Sequence, residues 1–209
     1  SAPELPANAL AYNCYGWMFK GCSALTSAPE PPATKMEAYC YNGMFANCTK
    51  LTSAPELPAK RLESNCYNCM FEGCTSLTSA PELPATYLVR ECYHSMFNGC
   101  TSLTSAPILP ATTLDWGCYS EMFQGCTSLT SAPELPAKEL IRNCYQLMFK
   151  DCSKLRYVKA LFTTGPSEET TKDWLSGVAA SGTFVKSKNA TWNVTGVHGI
   201  PNGWKIETQ

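Results

Sequence analysis

Residues 77–100 read Leu77-Thr78-Ser79-Ala80-Pro81-Glu82-Leu83-Pro84-Ala85-Thr86-Tyr87-Leu88-Val89-Arg90-Glu91-Cys92-Tyr93-His94-Ser95-Met96-Phe97-Asn98-Gly99-Cys100. The two halves of this stretch differ in character. Pro81 and Pro84 bar a helix and remove ladder donors, so residues 77–84 read as a short, partly polyproline-like strand. Tyr93, Met96 and Phe97 lie at i, i+3 and i+4, which predicts one or two helical turns over residues 92–100. Gly99 stands where a left-handed residue would end them.

The same stretch recurs along the chain. Ser-Ala-Pro opens at Ser1, Ser27, Ser53, Ser79, Ser105 and Ser131, a step of 26 each time. Cys-Tyr follows in phase at Cys14, Cys40, Cys66, Cys92, Cys118 and Cys144, and Met-Phe from Met18 to Met148. A second cysteine closes each unit at Cys22, Cys48, Cys74, Cys100, Cys126 and Cys152. Six copies in unbroken register define a repeat architecture, and the period lies in the range of leucine-rich repeats. The columns separate core from surface. Leucine before Thr-Ser, the column Leu10, Met36, Leu62, Leu88, Leu114, Leu140, and the Met, Phe and Cys columns are apolar, while the places around them vary. No unit can bury such a face alone, so the coils must stack.

The expected fold is therefore an α/β repeat solenoid. It is a leucine-rich-repeat-like, right-handed coil of six units over residues 1–156, with a small α+β capping segment over residues 157–209. In the tail, Ser167 is an N-cap before Glu168 and Glu169, predicting a helix to about residue 178. Residues 183–186 and 204–207 read as strands, with a turn at Pro201-Asn202-Gly203. Trp174, Phe184 and Trp204 are the bulky residues expected to seal the last coil. The chain opens within a unit, at Ser1, without a capping segment, and the expectation is that a natural chain continues upstream or is cut there.

The unit Phe123-Gln-Gly-Cys-Thr-Ser-Leu-Thr-Ser-Ala-Pro-Glu-Leu-Pro resembles the BspA-like leucine-rich repeats of bacterial surface proteins. The resemblance covers residues 1–156. It implies a curved solenoid with a strand on one face and a short helix on the other. It also implies an adhesin or a host- or matrix-binding protein, with a phage-associated role in a few members. This chain departs from the family in its longer unit and in placing a cysteine where the family usually has isoleucine. The tail, Trp174-Leu-Ser-Gly-Val-Ala-Ala-Ser-Gly-Thr-Phe-Val-Lys and Gly199-Ile-Pro-Asn-Gly-Trp, is similar to segments that follow such repeats in other bacterial proteins.

Composition narrows the function. The chain of 209 residues is 44% hydrophobic and 16% charged, with a net charge of -1. No electrostatic argument points to nucleic acid or an anionic membrane, and no apolar run is long enough to span one. No nucleophile–base set, carboxylate pair, metal spacing or phosphate loop is present, so the expectation is no enzyme and no cofactor. His94 and His198 read as incidental, as do the sequons at Asn47, Asn189 and Asn193.

The cysteines leave two readings open. The Cys-x7-Cys pairs are not a zinc spacing. They are either buried thiols forming apolar columns or disulfides of a secreted chain. Pairing within each unit favours bridges. Against them, a helix of about six residues holds its ends ~9 Å apart, beyond the ~7 Å reach of a disulfide. Cys69, the thirteenth, falls in a varying column and reads as an exposed free thiol.

Two surface columns are candidates for binding. Glu4, Glu30, Glu56, Glu82 and Glu134 form a carboxylate column, with Ile108 in its place once; it is either a solvated face or a seat for cations or a basic partner. Tyr12, Trp17, Tyr39, Tyr87 and Trp116 sit in varying columns and are candidate contacts to a protein or glycan, a role in which aromatics are enriched. The resulting expectation is a secreted or surface recognition module, with a spacer or virion-associated presentation module as the alternative. A monomer is expected, with Cys69 or the open first coil as routes to a dimer, and an extracellular or bacterial cell-surface location.

Overall fold

The computed structural model describes residues 2–209; Ser1, where the first unit opens, lies outside the described residues. The chain winds into a parallel solenoid. β1 (Ala9–Leu10) pairs with β2 (Lys35–Met36), and single bridges join Ser53, Ser79 and Ser105. Regular strands lengthen only toward the C-terminal end. There β3 (Ser131–Leu135), β4 (Tyr157–Ala160), β5 (Thr183–Lys186) and β6 (Lys205–Thr208) form one four-stranded parallel sheet. Prolines account for the sparse pairing earlier, because each one removes a ladder donor.

The helical turns expected over residues 92–100 are not formed. The N–H groups of Cys92, His94, Met96, Asn98 and Cys100 each close a turn onto the carbonyl three residues back, at 3.0–3.3 Å. The N–H groups between them, on Glu91, Tyr93, Ser95, Phe97 and Gly99, bond instead to Trp116, Cys118, Ser120, Met122 and Gln124 on the next coil, at 2.7–3.1 Å. Alternate donors thus serve the coil and its neighbour. A helix would spend every donor on itself and leave the coils joined by side chains alone.

This ladder needs a left-handed residue every fourth position. Glu91, Ser95 and Gly99 have φ of 54°, 52° and 72°. Glycine meets that need without strain at Gly99, where an added Cβ would face the backbone of Gly73 one coil back.

The core is columnar, as the repeat requires. Tyr93, Met96 and Phe97 are buried although no helix carries them. The rings of Phe19, Phe45, Phe71, Phe97, Phe123 and Phe149 stack at 5.6–5.7 Å, within 10° of parallel. A second stack runs from Tyr15 to Tyr145 at 5.7–6.2 Å. Each ring covers the next, which is why single coils gain stability only as an array.

In the tail, the expected long helix shrinks to α1 (Glu168–Thr171), where the Ser167 N–H donates to the Thr170 hydroxyl at 3.1 Å. Residues 172–177 turn instead and rejoin the ladder. Phe149 donates to the Trp174 carbonyl and Asp151 to that of Ser176. Trp174-Leu175 therefore occupies the Met-Phe place of a seventh coil, with Asp173 and Gly177 left-handed at φ 52° and 77°. Trp174, Phe184 and Trp204 are buried, and the Trp174 ring lies 6.3 Å from Tyr145. The strand expected at residues 183–186 forms there, and the last strand begins one residue later than expected, at Lys205.

Candidate binding surfaces

All thirteen cysteines are free thiols. Those closing the second to sixth units each donate to the carbonyl of a phenylalanine on the preceding coil, from Cys48 to Phe19 through Cys152 to Phe123, at 3.0–3.2 Å. Burial pushes Cys74 and Cys152 up to about 12, against an ordinary 9.0, and Cys100 and Cys126 well above it. Thiols held neutral in this way are poor nucleophiles and poor metal ligands. Among the described residues, no group of three or more His, Cys, Asp or Glu side chains is placed to hold a metal.

Cys69 departs from its expected exposure. It is half-buried, its thiol donates to the Asn68 side-chain oxygen at 2.9 Å, and burial raises it to about 12. Cys22 is the exposed thiol.

The candidate aromatics divide into groups. Tyr12, Trp17, Tyr39 and Tyr87 are exposed. The Tyr12 and Tyr39 rings meet at 5.4 Å, and Trp17 lies across Gly43 with the Lys20 ammonium 4.3 Å from its ring. A side chain at Gly43 would meet this indole, although the same left-handed place in other units carries Cys69, Ser95 and Glu121. Tyr87, on the fourth coil, borders a groove of about 400 Å³ together with Lys60, Arg61 and Glu63. Trp116 is only half-exposed, because the Arg90 guanidinium covers its ring at 4.2 Å. The variable corner thus carries an aromatic pair at one end and separate aromatic–cation positions further along.

The carboxylate column lies beside a different feature that sequence reading missed. Three grooves of about 380, 260 and 360 Å³ follow one another across the Ala-Pro-Glu-Leu-Pro segments of the third to sixth coils. Pro81, Glu82 and Pro84 belong to the first and second, and Pro107, Ile108 and Pro110 to the second and third, so the three form one trough. Glu4, Glu30, Glu56, Glu82 and Glu134 are all exposed. Glu30 accepts the Glu56 N–H at 2.9 Å, and Glu134 pairs with Lys159 at 2.7 Å. The signal was available in sequence: proline three apart at the same phase in every unit leaves matching gaps between coils.

Among the described residues, no helix is long and apolar enough to cross a membrane. A family model described as a BspA type leucine rich repeat region, in six copies, matches residues 39–164. No curated protein and no solved structure matches the chain. The matched part runs from the second unit into the tail, the same span over which the stacked Phe and Tyr columns are fully buried. A repeating unit that both fits this model and stacks coil upon coil places the chain in the family of BspA-type leucine-rich repeat proteins.

Proposed function

We propose that this repeat solenoid is a non-enzymatic recognition module of a bacterial surface or secreted protein, binding a protein or glycan through its variable corner. The observation that carries the reading is the set of exposed rings of Tyr12, Tyr39 and Tyr87, held on a backbone whose every coil is fixed by its neighbours. Rigid aromatics lose little entropy on binding and supply large contact area, which is how paratopes use them. The buried thiols suit an oxidising exterior, since burial keeps them protonated and out of reach of oxidants.

The test is a panel of glycans and extracellular-matrix proteins probed with the wild-type chain and with the combined variant Tyr12→Ala, Tyr39→Ala, Tyr87→Ala. A ligand whose signal falls about tenfold or more in the variant supports recognition at this corner. Binding that is unchanged in the variant, or absent across the panel, favours the spacer or virion-presentation role instead.

A further inference from the structure

The proline trough is built from the invariant part of the unit, and only Lys60, at the rim of its first groove, is shared with the groove that Tyr87 borders. The trough is lined by leucine, alanine and proline, and the prolines offer no backbone donor to water or ligand. Carboxylates stand along its lip. Glu56 and Glu82 make no ion pair among the described residues, and neither does Lys60 at the far rim of the first groove. Ile108 takes the third carboxylate place and is 83% exposed, an unusual position for a bare isoleucine.

At its C-terminal end the chain itself shows what the lip accepts. Lys159 comes from the next coil and sets its ammonium 2.7 Å from the Glu134 carboxylate, while its side chain is only 19% exposed. The aliphatic stem is covered and the charge is paired, the arrangement that a long amphipathic cation favours. Glu56 and Glu82 present the same carboxylate beside the same proline walls without an occupant from the chain.

We propose that the trough docks an extended, lysine-bearing segment of a partner protein. Its lysine stems lie on the prolines, and its ammonium groups meet Glu56 and Glu82. The inference does not depend on the variable corner and stands or falls separately from it. Charge complementarity selects a cation, and the apolar walls select lysine over a compact one.

The probe is a labelled peptide of alternating lysine and alanine, titrated into the full chain and followed by fluorescence anisotropy. Three outcomes are expected together. The double variant Glu56→Gln, Glu82→Gln weakens binding about fivefold or more, the range for two exposed ion pairs. Ile108→Glu, which completes the column, tightens it. A peptide in which lysine is replaced by diaminopropionic acid, with the same charge on a shorter stem, binds about tenfold more weakly, because the methylenes that touch the prolines are gone. The altered residues are exposed, so unchanged circular dichroism melts will confirm that each variant folds. Equal binding by the short-stemmed peptide, or no loss in the double variant, overturns the proposal: attraction would then be diffuse, or sited elsewhere. Loss of peptide binding in the Tyr12, Tyr39, Tyr87 variant with the glutamates intact also overturns it.

Discussion

The thiol of Cys100 donates a hydrogen bond to the carbonyl of Phe71, 3.1 Å away on the preceding coil. That carbonyl already accepts the N–H of Cys74 at 3.1 Å. The second cysteine of the second to sixth units therefore answers the remaining lone pair of a buried carbonyl while filling an apolar column. An isoleucine would fill the space and leave the lone pair without a donor. From Cys48 to Cys152 these cysteines are thus part of the coil-to-coil bonding.

That role makes them unreactive in the folded chain. With a thiol reagent at mildly alkaline pH, Cys22 is expected to react fast, and Cys14 and Cys69 more slowly. The other ten should react only after denaturant is added, since a thiolate must form and be reached. Fast native labelling beyond those three would show that the columns are open.

The same burial sets an alkaline limit. Cys74, Cys92, Cys144 and Cys152 are each raised by burial to about 12, from an ordinary 9.0. The folded state keeps protons that the unfolded chain releases. The stabilisation is therefore complete below pH 9 and is lost as pH rises toward about 12. Each group can contribute a slope of about 1.4 kcal/mol per pH unit in that window, so the losses add steeply. The melting temperature should hold level up to pH 9 and then fall sharply. A melting temperature that stays level through that window would refute the burial of these thiols.

Phe97 is fully buried between Phe71 and Phe123, with ring centroids 5.7 and 5.6 Å away. Phe97→Ala should cost about 3–5 kcal/mol in chemical denaturation, the usual range for a buried phenylalanine. A loss below about 1 kcal/mol would mean that the ring is not core.

Tyr93 behaves differently from its neighbour column. Its hydroxyl is buried and has no hydrogen-bond partner among the described residues, as is true of Tyr67 and Tyr119. Tyr93→Phe removes a desolvated polar atom and keeps the ring stack. Stability should be unchanged or rise by up to about 1 kcal/mol. A clear loss would reveal a bonded hydroxyl.

Deleting residues 157–209 would strip the sixth coil of its neighbour. The N–H groups of Asn143, Tyr145, Leu147, Phe149 and Asp151 all bond to carbonyls between Glu169 and Ser176, and Trp174 covers Tyr145. The truncated array should aggregate or melt at lower temperature, read by light scattering and calorimetry, because it exposes apolar rings and an unpaired edge. A monomer with an unchanged melting curve would make the tail a separate module.

The sequence by itself determined the period, the stacked columns, the identity of the core and the left-handed place at Gly99. These follow from register, because a residue repeated at one phase must meet its own copy on the next coil. It also placed the fold in its family through the residues around Phe123. Tertiary structure alone decided how residues 92–100 bond. Tyr93, Met96 and Phe97 have the same spacing whether a helix or a string of turns buries them. The choice rests on the next coil lying close enough to take every second donor. The seventh coil was equally hidden, since Trp174-Leu175 shares shape and phase with Met-Phe but not letters. The covering of Trp116 by Arg90, and the joining of the proline grooves into a trough, are contacts between coils. Residues about 26 apart acquire such contacts only when stacking brings them side by side.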